Sequence, residues 1–207
     1  MSKKCYRYYG GLLGLQQKWL NKMSKKGYRL VRTIKAMYEF EPCAPGQYQY
    51  CVEFVGEKSK QGADDYVRFL EDCGYRVFYK NINLNYAVGK VRVRPWANQG
   101  GKIATNATTY NRELLIVEKV SDGKPFELHT TYEDKQRDCK NRRKPWLFLF
   151  VWSAAAGIIF RQKVWWLFAA VALAALIAFQ VELAELKNRG RYKSKKAWCG
   201  TVGIKKG

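Results

Sequence analysis

The chain has 207 residues, 47% of them hydrophobic, with 38 Lys and Arg against 17 Asp and Glu and a net charge of +21. A single histidine excludes a His-based metal cluster or a paired-His relay, and six cysteines (5, 43, 51, 73, 139 and 199) without a CxxC pair fit isolated, reduced cytoplasmic thiols. The charge divides as +8 over residues 1–134, +5 over 135–145, zero over 146–186 and +8 over the tail, so much of it flanks one apolar region.

The N-terminus, MSKKCYRYYGG, has basic residues but no apolar run, so no secretory signal is expected. Cys5 to Tyr9 reads as an opening strand. Gly10-Gly11-Leu12-Leu13-Gly14 lacks the spacing of a phosphate-binding glycine loop and reads as a tight entry into a helix. Leu12, Leu15, Trp19, Leu20 and Met23 fall on one face of that helix, and Gly27 ends it. Residues 1–38 hold ten Lys and Arg and no acid. Lys18, Lys22, Lys25 and Lys26, beside Trp19, form the candidate interaction surface, suited to anionic headgroups or an acidic protein. The same spacing also describes a solvated face with Trp19 in the core.

A long strand is expected from Tyr28, with Leu30, Arg32, Ile34, Ala36, Tyr38 and Phe40 on one side. Pro42 to Gly46 makes a turn, and Tyr48, Tyr50, Val52 and Phe54 line the core side of the return strand. A second helix follows, with Tyr66, Phe69, Leu70 and Cys73 on one face and Gly74 as its stop, and a strand begins at Tyr75. Its exit, Gly74-Tyr75-Arg76, echoes Gly27-Tyr28-Arg29 at a distance of 47 residues. The order β-α-β-β-α-β over residues 1–86 predicts an α+β, ferredoxin-like (split β-α-β) domain. RNA-recognition modules share that order, but here Gln49 and Cys51 occupy the positions where stacking aromatics would sit, so nucleic acid is disfavoured as a partner.

Residues 87–129 read as a β-rich extension: loop from Asn81 to Asn111 with a strand around Lys90 to Arg94, a strand at Leu114 to Val117, and a short return at Phe126 to Leu128. His129 suits a solvated or capping role. Thr130 to Glu133 matches a capping box opening a basic juxtamembrane helix over 130–145. The acidic pairs Asp64-Asp65, Glu71-Asp72 and Glu133-Asp134 read as ordinary helix surface.

Trp146–Phe160 and Val164–Val181 are uncharged, separated by Arg161-Gln162-Lys163. At 1.5 Å per residue they span roughly 22 and 27 Å against a hydrocarbon core of about 30 Å. A transmembrane hairpin over 146–186 is expected, with Arg142, Arg143, Lys144, Trp146, Trp165 and Trp166 at the membrane interface. A soluble hairpin this apolar would need a larger core than 207 residues supply. Basic flanks on both sides, the second being the tail 187–207, place both termini in the cytoplasm. Ala170, Ala174 and Ala178, with Ser153 and Gly157, form small-residue stripes for packing between the spans or against another chain.

The stretch from Tyr9 to Leu30 (YGGLLGLQQKWLNKMSKKGYRL) and the hairpin segments YEFE, from Tyr38 to Glu41, and YQYCVEF, from Tyr48 to Phe54, resemble the bacterial domain of unknown function 2812 family. The likeness covers residues 5–80 and, more loosely, 114–134; residues 81–111 carry none of it. It implies a cytoplasmic domain on a membrane anchor and no chemistry, cofactor or metal.

The expectation is therefore a non-enzymatic, multi-pass inner-membrane protein, an adaptor, regulator or sensor acting through a protein partner or self-association. The alternative is a lipid-binding or envelope-stress module that reads anionic membrane through its basic helix and tail.

Overall fold

The computed structural model describes residues 2–88, 91–97, 102–104, 109–128 and 132–203, with backbone alone for 88, 104, 132–133 and 192–203. His129, the Thr130 end of the expected capping box, Lys90 and Lys205-Lys206 lie outside the described residues. The chain forms two compact units, Met1–Leu128 and His129–Gly207.

The first unit is a mixed α/β structure built from two similar halves. One half runs β1 (Lys3–Tyr6), α1 (Leu13–Lys25), β2 (Tyr28–Ile34) and β3 (Met37–Pro42), in a sheet ordered β1-β3-β2. The other runs β4 (Tyr48–Phe54), α2 (Lys60–Asp72) and β5 (Arg76–Lys80), and is completed by β9 (Leu114–Val120) in a sheet ordered β4-β9-β5. All pairings are antiparallel. In each half the strands flanking the helix are thus parallel to each other, with the last strand between them: a split β-α-β unit, present twice.

This replaces the single ferredoxin-like sheet expected from the sequence. The long strand from Tyr28 is folded into a hairpin at Lys35-Ala36, where Lys35 takes φ +48° as a two-residue hairpin turn requires. A bulge between Leu30 and Arg32 shifts the alternation, so Leu30, Tyr38 and Phe40 are buried while Arg32 and Ile34 face outward. The turn Pro42 to Gly46 then joins two sheets instead of two strands of one hairpin. Leu114–Val120, assigned by sequence to a separate extension, is the central strand of the second sheet.

Burial explains that strand's composition. Leu115 and Val117 pack with Cys51, Val55, Ala63, Val67 and Leu70 under α2. On the opposite face, Ile116 and Glu118 sit in register with Val52 and Tyr50 and are equally buried. A strand covered on both faces reads as a continuous apolar run. Cys51 belongs to the α2 core, which leaves no stacking surface there. Phe126 and Leu128 close the same core as irregular chain, without the expected return strand.

Both helices end at a glycine with φ +81°, Gly27 and Gly74, a backbone conformation that a Cβ disfavours. The buried face of α1 is Leu13, Gln16, Leu20 and Met23, which leaves Leu15 exposed. In α2 it is Ala63, Val67 and Leu70, with Phe69 and Cys73 turned to solvent against the sequence reading.

Between β5 and β9 the second half carries an insert holding a small sheet of β6 (Tyr86–Val88), β7 (Val91–Val93) and β8 (Ile103–Ala104). Trp96 anchors it, edge-on to Phe54 at a centroid distance of 5.1 Å. A Cβ on Gly56 would stand 2.6 Å from Trp96 Cη2, so only glycine allows this approach. Glu113 closes the insert's base: it is fully buried and accepts from Ile82 N at 3.2 Å, Asn111 N at 2.6 Å and the Asn85 amide.

The second unit pairs α3 (Tyr132–Phe160) with α4 (Lys163–Gly203). α3 is continuous through Pro145, so the expected juxtamembrane helix and first span are one element. α4 carries on beyond the second span into the basic tail. The buried positions include Cys139, Arg142, Ser153, Ala156 and Gly157 on α3 and Ala169, Ala172, Phe179 and Glu182 on α4. Their steps of three and four residues are those of left-handed helix pairs. Ser153 and Gly157 fulfil the small-residue reading, whereas Ala170 and Ala174 face outward, one position off the packed stripe.

Candidate functional site

Three faces of α1 do three different things. Trp19 is half-buried among rings, 4.9 Å from Tyr38, 5.5 Å from Phe40 and 6.0 Å from Tyr9, so it serves the core and not the surface. On a second flank Gln17, Asn21 and Ser24, at i, i+4 and i+7, meet the outer edge of β4. Asn21 Nδ2 donates to Tyr50 O at 2.8 Å and Asn21 Oδ1 accepts from Tyr50 N at 3.0 Å, as a neighbouring strand would. Gln17 Oε1 accepts from Val52 N at 3.2 Å, and Ser24 Oγ donates to Tyr48 O at 2.5 Å. The helix thereby satisfies the open edge of the second sheet.

The third face carries Lys18, Lys22 and Lys25, with Lys26 following at the cap; all four are exposed. Lys22 and Lys25 lie in the last turn, where the helix dipole favours cations. Of the expected surface, then, the four lysines come together and Trp19 turns away from them.

Sequence reasoning missed a polar seam behind this helix. Glu118 is buried and accepts from Arg29 Nη2 at 2.9 Å and Nε at 3.0 Å, and from Tyr50 OH at 2.8 Å. The same hydroxyl accepts from Leu30 N at 2.8 Å, so one carboxylate ties β2 to β4 and β9. Its bond to Glu118 raises the Arg29 pKa, and burial raises that of Tyr50. Lys80 is also buried: its ammonium donates to Lys35 O and lies 4.2 Å from the Tyr38 ring centroid, and burial lowers its pKa to about 8. Burial likewise raises the pKa of Glu113, against the pull of its N–H donors. The signal for such groups was the acid or lysine standing inside an apolar strand, as Glu118 and Lys80 do.

In the helix pair, Arg142, expected at the membrane interface, is buried 3.7 Å from Glu182 of the facing helix. Arg143 is half-buried and Lys144 exposed; Trp146 and Trp165 are half-buried, and Trp166 is exposed. Trp165 packs edge-on to Trp152 at 5.2 Å. Among the described residues, no three His, Cys, Asp or Glu side chains gather in a way that could hold a metal ion.

Fold and composition together define an α/β unit followed by two helices, Asp134–Phe160 and Lys163–Arg191, long and apolar enough to cross a membrane. The family model described as Protein of unknown function (DUF2812) matches residues 13–151, more than half of the chain, and the chain belongs to that family. The match begins with α1, runs through the 81–111 region in which the sequence showed no likeness, and stops within α3. Neither the curated proteins nor the solved structures give a match.

Proposed function

We propose that the protein is a membrane-anchored adaptor or sensor, with the lysine face of α1 as the contact for an acidic protein partner. α3 and α4 act as a transmembrane hairpin in the inner membrane, and the basic residues on both sides of the apolar region favour cytoplasmic termini. The reading is non-enzymatic: Asp64 accepts from Tyr79 OH at 2.7 Å and Glu113 from the insert's N–H groups, structural uses of the acids that catalysis would need.

One observation carries this reading. With the helices aligned at an offset of 47 residues, the buried positions Gln16, Leu20 and Met23 coincide with Ala63, Val67 and Leu70. At the same offset Lys18, Lys22 and Lys25 coincide with Asp65, Phe69 and Asp72, all exposed. The fold therefore accepts either charge at these places, and a concentrated positive face on α1 is not a requirement of helix formation. Binding accounts for it.

The test is crosslinked recovery of the full-length protein from its native membrane, comparing wild type with Lys18→Gln, Lys22→Gln, Lys25→Gln and Lys26→Gln combined. A stoichiometric protein lost only in the variant supports the reading; equal recovery from both refutes it. Retention that vanishes above roughly 0.15 M salt, with lipid as the only companion, favours the headgroup alternative.

A further inference from the structure

We infer that the outward face of the first sheet, at the rim formed by Tyr6, Met37 and Ile34 with Tyr8 and Tyr86, rests on an anionic bilayer surface. The inference shares with the proposed function its membrane anchor but uses a different surface from the lysine face.

The rim follows from register. Tyr6 pairs with Met37 and Met37 with Ile34, so these three side chains form one row across β1, β3 and β2. Tyr38 and Phe40 point into the core, so the alternate residues Met37 and Glu39 point outward. Two residues beyond Tyr6 along the chain, past the end of β1, Tyr8 is exposed; its hydroxyl donates to Asn83 O at 3.2 Å, and Tyr86 is close enough to raise its pKa, second to burial. Exposure is 73% for Tyr6, 57% for Tyr8, 61% for Tyr86 and 44% for Ile34, high for side chains of this size gathered at one end of a sheet.

Chemistry selects the occupant. Tyrosine is the side chain of membrane interfaces, with an apolar ring and a polar tip. Lys4 and Arg32 are exposed on the outward face, flanking Glu39, and Lys35 is exposed in the hairpin turn, while Lys3 and Arg7 stand over the Tyr28 and Trp19 rings on the inner side; Lys and Arg held near anionic headgroups are attracted to them. Exposed tyrosines with Lys4, Arg32 and Lys35 beside them at an open sheet corner fit a planar, deformable, negatively charged surface. Anchoring by the same chain's apolar helices holds such a surface at high effective concentration, so a modest patch suffices.

Docking in this way has a directional consequence. α1 covers the inner face of the first sheet, through Trp19 on Tyr38 and Phe40, so its lysines project away from the outer face. A unit resting on the rim presents Lys18, Lys22 and Lys25 to the aqueous side, where a protein and not a headgroup would meet them.

The experiment uses the full-length protein, one copy per nanodisc, in phosphatidylcholine alone or mixed with phosphatidylglycerol, read by amide hydrogen exchange. The inference expects roughly tenfold slower exchange at residues 3–8, 34–37 and 85–88 in the anionic discs. That protection should vanish in the Tyr6→Ser, Tyr86→Ser double variant and in the Lys4→Gln, Arg32→Gln, Lys35→Gln triple variant, while β9 amides stay unchanged as the control for folding. Equal exchange in both lipids, or protection that survives both variants, overturns the docking alone. Failure of the protein to enter discs overturns the membrane anchor and the docking together.

Discussion

The two halves of the first unit share a plan and differ in what surrounds them. β1-α1-β2-β3 closes its hairpin with the two residues Lys35 and Ala36, while β4-α2-β5-β9 opens the equivalent connection to admit the β6-β7-β8 insert. The central strand β9 of the second half is buried on both faces; the first half keeps one sheet face and the β1 edge exposed. α1 reaches across to cap the edge of β4, whereas α2 stays on its own sheet. One motif thus serves as the stable centre in one copy and as the outward-facing, charged element in the other.

Breaking the seam between the halves should have the largest effect. Glu118→Ala leaves the Arg29 guanidinium and the Tyr50 hydroxyl without their buried acceptor, and a loss of about 3–4 kcal/mol is expected. Tyr50→Phe removes only the hydroxyl and should cost about 1–2 kcal/mol. Exchange of β9 amides reports both, because that strand opens only with the whole unit.

Lys80, at the junction of the halves, carries a pH signature of its own. Its folded pKa, about 8, lies below the ordinary 10.5, so the unfolded chain binds the extra proton between those values. Stability should therefore rise as pH increases from about 8 to 10, by up to roughly 3 kcal/mol, and stay flat for this group below pH 8. In Lys80→Met the rise should be absent, measured as thermal midpoint against pH.

The edge cap separates the twin helices more finely. Asn21→Ala removes both bonds to the Tyr50 backbone and leaves a buried strand edge unpaired, at a cost of about 2 kcal/mol. Arg68, at the matching place in α2, is exposed and ion-paired to Asp65 at 3.7 Å; Arg68→Ala should change stability by less than about 0.5 kcal/mol. Equal costs would mean that α1 is not acting as a strand substitute.

Much of this was legible in the chain. The helix exits at Gly27 and Gly74 announced the duplication, and the apolar runs announced both long helices, because left-handed glycines and bilayer-length segments are local signals. The hairpin at Lys35-Ala36 was not legible: neither residue is a usual turn former, and the apolar alternation from Leu30 to Phe40 runs straight through it. Nor was β9's place between β4 and β5, since strand order depends on contacts more than thirty residues apart. The lysines were found by composition, while the spacing left Trp19 open between their surface and the core; its ring contacts assign it to the core. The partner of Arg142 was not legible either, because a basic flank in sequence does not show which member faces Glu182.

Charge exchange between the twin helices gives the smallest change in stability and the sharpest division of roles. Lys18→Gln with Lys22→Gln removes two exposed cations, one of them favourable to the helix end, so the expected loss is below about 1 kcal/mol. Asp65→Asn with Asp72→Asn, at places matching Lys18 and Lys25 in α2, should also leave stability within about 0.5 kcal/mol. The two pairs should then part company in partner recovery from the membrane: the α1 pair weakens it and the α2 pair does not. If both weaken it, attraction is spread over the unit's surface and the lysine face has no special standing. If neither does, the positive face of α1 is an ordinary solvated surface and the contact must be sought on the exposed sheet.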